Sequence, residues 1–450
     1  MNEIINSLNS HIKKERVSFH MPGHKGKSTI LKNIFPKDIL SFDVTELDGT
    51  DCLAHPDDAI LKSETDAAKI CGAKRAFYLV NGSSCGILAM FYAYFSEGDT
   101  VIVDRSCHRS VINALTLCGI EPIYISPEQD SLRNVPKGFT AEKIKETLAK
   151  YPEAKGIFIT SPNYYGMMSE IKEIADLAHA ASIPLLVDEA HGAHFMASCR
   201  LPESAIKQGA DAAVISLHKT LPCPNQTALL MLGDEKMADK MQKAINVFQT
   251  TSPSYVLMSY IETALSLVRD QGEKLTDELL ENLKPFGKYQ TDDPFKLLIS
   301  FTENGLSGYE TEKLLRENFG IFSELADNQN VLLMASWSNT LKDFKLLKKA
   351  LNKISEIKKE NKIHPLSTFS FAEGKPIISP RKMLGQKAET IELKDAAERI
   401  SATTVVSFPP CIPIILPGER IGCDQIKIIS ELSHHTKIDG IENGKISVVK

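Results

Sequence analysis

Seven short apolar runs between residues 66 and 232 constrain the fold of this chain more than any other feature. The runs are Ala76–Val80, Thr100–Val103, Pro122–Ile125, Gly156–Thr160, Pro184–Val187, Ala213–Ser216 and Ala228–Leu232. Most of them are nearly continuous in apolar residues, which is typical of strands buried on both faces. Helical segments such as Glu170–Ala181 separate the runs, and this alternation predicts an α/β fold with a mostly parallel, doubly wound sheet. Because the last run follows Lys219 after only a short loop, we expect one antiparallel strand in that sheet.

The composition of the chain excludes several classes of protein. Of its 450 residues, 43 % are hydrophobic and 24 % are charged, and the formal net charge is -5, which does not fit the basic surface of a nucleic-acid-binding protein. The nine cysteines form no CxxC pair and no zinc-like spacing, so we expect reduced thiols and no metal site. The first 17 residues lack the apolar stretch of a signal peptide, and no later segment is apolar enough to cross a bilayer. We therefore predict a cytoplasmic protein that binds neither nucleic acid nor membrane.

Lys219 is the first candidate for a chemical role. It lies in the segment Ser216–Thr220, directly after a buried apolar run. An unpaired ammonium at the end of a buried strand costs several kcal/mol or loses its proton. A deprotonated lysine amine is the nucleophile that condenses with an aldehyde. Taken alone, a lysine at this place is more often an ordinary surface residue at a strand end.

The segment Leu185–Gly192 places Asp188 at the carboxyl end of another buried strand, where open α/β sheets bind their ligands. Pyridoxal phosphate (PLP) requires a carboxylate next to its pyridine nitrogen, because the protonated nitrogen makes the ring an electron sink. His191 lies three residues further on, within reach of the phenolic oxygen of that ring. The alternatives are a helix-capping role for Asp188 and a structural role for His191.

Two further segments offer groups for a phosphate and for a ring. Ser83 and Ser84 lie between a predicted strand and a predicted helix, where backbone N–H groups and the helix dipole favour a phosphate. His108 follows another strand, in position to stack on the ring of the cofactor. Neither segment is specific by itself, because Ser and Gly cap helices in many proteins and an isolated His is usually structural.

The order of these segments favours a PLP enzyme more than any one of them does. A phosphate loop, a stacking histidine, a strand-end aspartate and a strand-end lysine follow each other, with strand–helix units between them. The motifs GxGxxG and GxxxxGK[ST] are absent, so nicotinamide and nucleotide cofactors lack support. We therefore predict pyridoxal 5'-phosphate as the cofactor, held by Lys219 as a Schiff base.

Eight motifs along the chain point to one family. They are His20–Gly26 (HMPGHKG), Asp43–Pro56, the serine loop Val80–Gly86, Asp104–Ser110, Pro162–Gly166 (PNYYG), Asp188–Phe195, Ser216–Thr227 and Phe408–Arg420 (FPPCIPIILPGER). Over nearly its whole length the chain resembles the Orn/Lys/Arg decarboxylases, fold type I (aspartate-aminotransferase-like) PLP enzymes, in their short form. The PGHKG and PGE motifs are the most family-specific parts, because other fold type I enzymes share the Asp, His and Lys. The chain departs from the family pattern at Thr50–Ala54, where a second acidic residue and another His are common, and at Cys411, where Gly is usual.

The resemblance implies a role for each residue of the site. Lys219 is the Schiff-base lysine, Asp188 is the partner of the pyridine nitrogen, and His108 stacks on the ring. The residues implied around the phosphate are Ser83, Ser84, Ser216 and His218.

The resemblance also implies an architecture and an assembly. We expect a mostly parallel seven-stranded sheet in a large PLP-binding domain, residues 56–290, after an N-terminal arm and loop segment, residues 1–55. A smaller α+β C-terminal domain covers residues 291–450. Fold type I enzymes build their active sites at a dimer interface, so a homodimer or a higher homo-oligomer is expected.

The predicted reaction is decarboxylation of a basic L-amino acid to the amine and CO2, feeding polyamine synthesis. Arginine is the first candidate substrate, followed by lysine and ornithine. Lys219, His218 and His108 are the predicted catalytic residues, with Lys219 or His218 returning a proton to the α-carbon. Glu419 in the PGE motif is the candidate ligand for the distal cation of the substrate, the alternative being an exposed loop residue.

Two other functions remain open at this point. Another fold type I reaction, such as that of an oxoamine synthase, leaves the PGHKG and PGE motifs unexplained. A catalytically silent PLP-binding regulator is disfavoured because both Lys219 and Asp188 are present.

Overall fold

The computed structural model describes residues 13–14, 17–27, 39–360, 363, 373–408 and 412–450. In the first third of the chain, strands alternate with helices. The elements are β1 (Val17–Phe19), α1 (Ala59–Cys71), β2 (Arg75–Leu79), α2 (Gly82–Tyr94), β3 (Thr100–Asp104), α3 (Arg109–Cys118), β4 (Glu121–Ile125), β5 (Gln129–Asp130), β6 (Val135–Pro136) and α4 (Ala141–Lys150).

The alternation continues through the middle of the chain and ends in two long helices. The elements are β7 (Ile157–Thr160), α5 (Ile171–Ala180), β8 (Leu185–Asp188), β9 (Ala212–Ser216), α6 (Leu217–Thr220), β10 (Ala228–Leu232), α7 (Ala238–Phe248) and α8 (Tyr255–Leu283).

The last third of the chain forms shorter strands and three further helices of ten residues or more. The elements are β11 (Lys296–Ser300), α9 (Gly308–Phe319), β12 (Ile321–Ser323), β13 (Leu325–Ala326), β14 (Asn330–Met334), α10 (Leu341–Ser355), α11 (Pro380–Met383), β15 (Ala388–Glu392), β16 (Val405–Phe408), β17 (Pro413–Ile415), α12 (Cys423–Leu432), β18 (Lys437–Asp439), β19 (Ile441–Glu442) and β20 (Lys445–Val449).

A seven-stranded sheet forms the centre of the molecule, in the order β2-β10-β9-β8-β7-β3-β4. All neighbouring strands in it are parallel except at β10, which is antiparallel to both β2 and β9. Each of the seven predicted runs overlaps one of these strands, with ends that differ by at most one residue. The predicted α/β class and mostly parallel sheet are therefore confirmed, as is the antiparallel strand after Lys219.

Both faces of the central sheet are buried, which explains the nearly continuous apolar runs. Successive residues of a strand point to opposite faces, so Ile157 and Leu185 join one hydrophobic cluster while Phe158 and Leu186 join another. Helix α2 packs over β9 and β10 on the second of these faces. Polar side chains are consequently confined to the strand ends.

The parallel strands end at one edge of the sheet. The loop after β2 leads to Ser83, the loop after β3 leads to His108, β8 ends at Asp188, and Lys219 follows β9. Open α/β sheets bind ligands at this carboxyl edge. The fold therefore brings together segments that lie far apart in the sequence.

Three small sheets form beyond residue 295, each of three strands: β11-β14-β13, β15-β20-β19 and β17-β16-β18. Strand β1 pairs in parallel with β12, which ties the N-terminal segment to this part of the chain. Phe19 ends β1, packs in the core and places its ring against that of Phe344. The predicted domain limits, 1–55, 56–290 and 291–450, stay a prediction.

Across the described ranges, no helix is both long and apolar enough to cross a membrane. Within the same ranges, no group of three or more His, Cys, Asp or Glu side chains is arranged to hold a metal ion.

Candidate active site

A cavity of about 430 Å³ opens at the carboxyl edge of the central sheet. The predicted cofactor-binding residues all line it. They are Ser83, Ser84, His108, Asp188, His191, Ser216, His218 and Lys219. The structure thus brings eight of the nine predicted site residues to one place, and Glu419 lies elsewhere.

The N-terminus of helix α2 forms one end of the cavity. Gly82 turns the chain from β2 into α2 with a φ of 76°, which favours glycine, and its N–H donates to the carbonyl of Gln226 at 2.8 Å. Asn81, at the N-cap position, does not cap the helix with its side chain. The hydroxyl of Ser216 donates to that of Ser83 at 2.8 Å. Uncapped N–H groups and hydroxyls at the start of a helix are a suitable site for a phosphate.

His218 lies beside this end of the cavity. The carbonyl oxygen of Thr227 is 3.1 Å from Nδ1 of His218, so we place the proton of the neutral ring on Nδ1. Burial lowers the pKa of His218 to about 4, and the nearby Lys219 cation contributes in the same direction. A phosphate dianion next to Nε2 would favour the charged ring and raise this pKa.

Lys219 lies in the single turn of helix α6, half-buried between β9 and β10. Its Nζ is 3.1 Å from Nε2 of His191, which is 4 % exposed. Burial, together with the Lys219 cation, lowers the pKa of His191 well below its usual value. His191 is therefore neutral, and its Nε2 accepts a hydrogen bond from the lysine.

Asp188 ends β8 and is 3 % exposed. One carboxylate oxygen accepts a hydrogen bond from the backbone N–H of Ala190 at 3.0 Å. Burial raises the pKa of Asp188, while the Lys219 cation and this N–H oppose the rise. A cationic ring nitrogen in the cavity would stabilise the charged form of the carboxylate.

His108 caps helix α3 from the wall of the cavity, with its Nδ1 accepting from the backbone N–H of Ser110 at 3.2 Å. Water reaches the ring, yet protein surrounds much of it. This partial desolvation, with the cations of Lys219 and Arg109 nearby, lowers the pKa of His108 to about 4. A neutral ring held by its cap is suited to stack on a flat cofactor.

The loop of the PGHKG motif packs against the turn that carries Lys219. The N–H of Gly23 donates to the carbonyl of His218 at 2.7 Å. A side chain at Gly23 would bring its Cβ within 2.4 Å of the carbonyl oxygen of Leu221, so the close approach requires glycine. Lys25 is 6 % exposed and donates to the carbonyl of Met334 at 3.0 Å. The loop therefore joins the Lys219 turn to strand β14.

Glu419 requires a correction. It is 4 % exposed, and its two carboxylate oxygens accept from Nε and Nη2 of Arg105, both at 2.7 Å. Arg105 is itself fully buried and also donates to the carbonyl of Pro413 at 2.8 Å. A carboxylate held at both oxygens by a buried guanidinium is not available to a substrate cation. Its predicted substrate role is therefore wrong, and so is the alternative of an exposed loop residue.

Two family models match the chain. The Orn/Lys/Arg decarboxylase major domain matches residues 3–291, and the Orn/Lys/Arg decarboxylase C-terminal domain matches residues 366–440. The chain belongs to the Orn/Lys/Arg decarboxylase family. This membership confirms the resemblance found in the sequence and the predicted enzyme class, an amino-acid decarboxylase.

Similar proteins cover nearly the whole chain. The uncharacterized protein YaaO of Bacillus subtilis is 37 % identical, over 96 % of this chain and 95 % of that protein. An arginine decarboxylase of the same organism is 32 % identical, over 98 % of this chain and 96 % of that protein. The solved constitutive lysine decarboxylase of Escherichia coli has a TM-score of 0.76 at 19 % identity, covering all of this chain and 82 % of that one. At that identity the structural likeness shows a shared fold.

Several residues of this decarboxylase line the cavity although the sequence analysis gave them no role. They are Met21, Asn163, Tyr164, Asn225, Gln226 and Ile412. Asn163 and Tyr164 come shortly after β7, much as Asp188 ends β8 and Lys219 follows β9. The search for polar residues at strand ends would therefore have found them in the motif PNYYG. Ile412 carries no such signal, because an apolar residue in a Pro-rich segment has no distinctive chemistry. The neighbouring residues 409–411, and with them the departure at Cys411, lie outside the described residues.

Proposed function

We propose that this chain is a fold type I enzyme that decarboxylates a basic L-amino acid with pyridoxal 5'-phosphate as its cofactor. Arginine is the first candidate substrate, lysine and ornithine follow, and the amine product enters polyamine synthesis. One observation carries the proposal: Lys219, Asp188 and the uncapped N-terminus of α2 line the same cavity. The full-length relative named arginine decarboxylase supports arginine.

The groups in the cavity fit the cofactor chemically. The start of α2, with the hydroxyls of Ser83, Ser84 and Ser216, offers donors to the phosphate. The carboxylate of Asp188 is available to a protonated ring nitrogen, and the amine of Lys219 to the aldehyde. When bound, PLP supplies the electron sink that accepts the electron pair of the breaking bond to the carboxylate.

The residues of the chain then hold the substrate and move a proton. With PLP and substrate bound, the Lys219 amine would be the group that returns a proton to the α-carbon. His191 holds that amine in place through its Nε2 at 3.1 Å. His218 is less suited to the step, because its Nδ1–H is held by the carbonyl of Thr227 and its Nε2 is the nitrogen left for the phosphate.

Release of CO2 from a panel of amino acids tests the proposed reaction. We expect the PLP-loaded protein to release CO2 from arginine, lysine or ornithine, and to release none from leucine or glutamate. Lys219→Ala is the control and should release none from any of them. Absence of CO2 from all three basic amino acids, or equal release from leucine, would refute the proposal and favour another PLP reaction or a silent PLP-binding protein.

A further inference from the structure

We propose that Glu324 binds the distal cation of the substrate, an alkyl guanidinium or alkyl ammonium group. This inference rests on the proposed function and assigns the role that Glu419 cannot fill.

Glu324 lies directly behind the wall of the cavity, one residue after β12. Its Oε1 accepts a hydrogen bond from the hydroxyl of Tyr164, and its Oε2 accepts from the N–H of Met21 at 2.8 Å. Tyr164 and Met21 both line the cavity. The carboxylate is half-buried, so a cation that reaches it is partly shielded from water.

Glu324 is connected to the reactive lysine through two aromatic rings. The ring of Tyr164 meets that of His191 edge-on, with centroids 4.9 Å apart, and His191 contacts Lys219 at 3.1 Å. The amine of Lys219 and the carboxylate of Glu324 thus stand at the two ends of a row of contacts. A basic amino acid likewise carries its α-amino group and its cation at the two ends of a side chain.

Among the described residues, no cationic side chain forms an ion pair with Glu324 within 4.0 Å, and the two groups that donate to its carboxylate are neutral. The buried Lys296 lies in the same region, but its Nζ donates to the carbonyls of Asn163 and Tyr164. The two neutral donors use about two of the roughly four lone-pair positions of a carboxylate, which leaves room for a bidentate guanidinium.

Two other carboxylates near the cavity are unsuited to this role. Asp188 is 3 % exposed and stands at the strand end where the cofactor ring is expected. Asp104 is 1 % exposed and accepts from both the N–H and the hydroxyl of Ser106. Glu324 is more accessible than either.

The substitution Glu324→Gln tests the inference, with L-arginine compared against L-citrulline, its neutral isostere. In the PLP-loaded enzyme we expect the KM for arginine to rise at least about tenfold, with a smaller change in kcat, because a hydrogen bond to a charged partner is lost. The inhibition constant of citrulline should change less than about twofold. Equal weakening of both compounds, or no change in either, would overturn the inference.

Two further variants separate direct binding from positioning. Tyr164→Phe keeps the ring against His191 and removes only the hydroxyl. If Glu324 binds the cation directly, the ratio of the KM for arginine to the inhibition constant of citrulline should stay near that of the wild type. If Tyr164→Phe reproduces the loss seen in Glu324→Gln, the carboxylate acts through Tyr164 and the inference is wrong. Glu312→Gln, which removes a carboxylate paired with Arg316 on helix α9, is the matched control and should change neither constant.

The test of Glu324 can fail or succeed independently of the test of the proposed decarboxylation. A wild type that releases no CO2 from basic amino acids refutes the reaction before any variant is made. Equilibrium binding of arginine and citrulline to the wild type and to Glu324→Gln still measures whether the carboxylate recognises the cation.

Discussion

Asp188 ends β8 and Lys219 follows the adjacent strand β9, so the lysine cation acts on the carboxylate. Burial raises the pKa of Asp188, and the Lys219 cation counters that rise. A protonated pyridine nitrogen placed against Asp188 would add a second cation and favour the carboxylate form. We therefore propose that the charge of Asp188 serves the cofactor.

The substitution Asp188→Asn tests this role. We expect the variant to retain PLP and to lose at least about a hundredfold in turnover, roughly 2.7 kcal/mol of transition-state stabilisation. The neutral amide cannot stabilise the protonated nitrogen, but it still accepts from the N–H of Ala190. Absorption of bound PLP and steady-state kinetics measure the two quantities. Near-normal turnover would mean that Asp188 is only a structural cap.

Among single residues, the sequence predicted the charged residues at strand ends. It missed residues whose environment depends on a partner far away in the chain. Asp188 and Lys219 were predictable because a charged residue after an apolar run is conspicuous. Glu419 was not, because its partner Arg105 is 314 residues away and only the folded chain shows the pair. Glu324 escaped notice for the same reason, since its donors Met21 and Tyr164 are 303 and 160 residues away.

Helix α1 begins with an unusual cap. Its N-cap residue, Asp58, makes no side-chain capping bond. Asp51, with a φ of 63°, instead accepts from the N–H groups of Cys52, Asp57, Asp58 and Ile60. Burial opposes the charge of Asp51, but these four donors outweigh it and lower its pKa to about 2.

The substitution Asp51→Asn should therefore reduce stability in a pH-dependent way. Because the folded pKa lies below the ordinary value of 3.8, the stabilisation is complete above that value and disappears as the pH falls towards about 2. At pH 7 we expect a loss of about 1 kcal/mol in the free energy of unfolding, as for other lost caps. Denaturant titrations between pH 7 and pH 2 measure it.

The exposed neighbour Asp57 provides the control for this prediction. Asp57→Asn should leave stability unchanged, since within the described residues only its backbone N–H takes part in the cap. A constant difference between wild type and Asp51→Asn at every pH would contradict the account of the cap.

Strands were predictable to within one residue because burial on both faces leaves a clear apolar run. The cap of α1 was not, because Asp51 is eight residues before the helix and has a backbone conformation that is uncommon for Asp. The contact of the PGHKG loop with the Lys219 turn also required the fold, because the two segments are far apart in the sequence.

At the scale of the whole molecule, the last third of the chain is tied to the site through buried contacts. The pair of Arg105 with Glu419 fixes the segment that carries Ile412, and Lys25 fixes the PGHKG loop against β14. The segment that carries Ile412 and the PGHKG loop are both remote in sequence from the central sheet. Segments outside the sheet therefore help to shape the cavity.

The resemblance to fold type I enzymes predicts a site shared between two subunits. Ser254 caps helix α8, because its hydroxyl oxygen accepts a hydrogen bond from the N–H of Leu257 at 3.3 Å, so this hydroxyl is used within its own chain. Thr250 donates its N–H to Asn81 at the edge of the cavity, and the neighbouring Thr251 and Ser252 are exposed. If the site is shared, we expect the exposed hydroxyls of Thr251 and Ser252 to contact the phosphate bound by a partner subunit.

Dilution of the PLP-loaded enzyme tests the shared site. A ligand that binds only the assembled state leaves when the assembly dissociates, so PLP and activity should be lost together as monomer appears. Sedimentation and activity measured over one dilution series follow both. A fully active monomer would refute the shared site.

Borohydride reduction of the PLP-loaded protein, followed by peptide mass spectrometry, tests whether Lys219 holds the cofactor in this cavity. We expect a pyridoxyl group on Lys219. The variant Lys219→Ala should acquire none and release no CO2. A pyridoxyl group on another lysine, or full activity in Lys219→Ala, would show that Lys219 does not hold PLP.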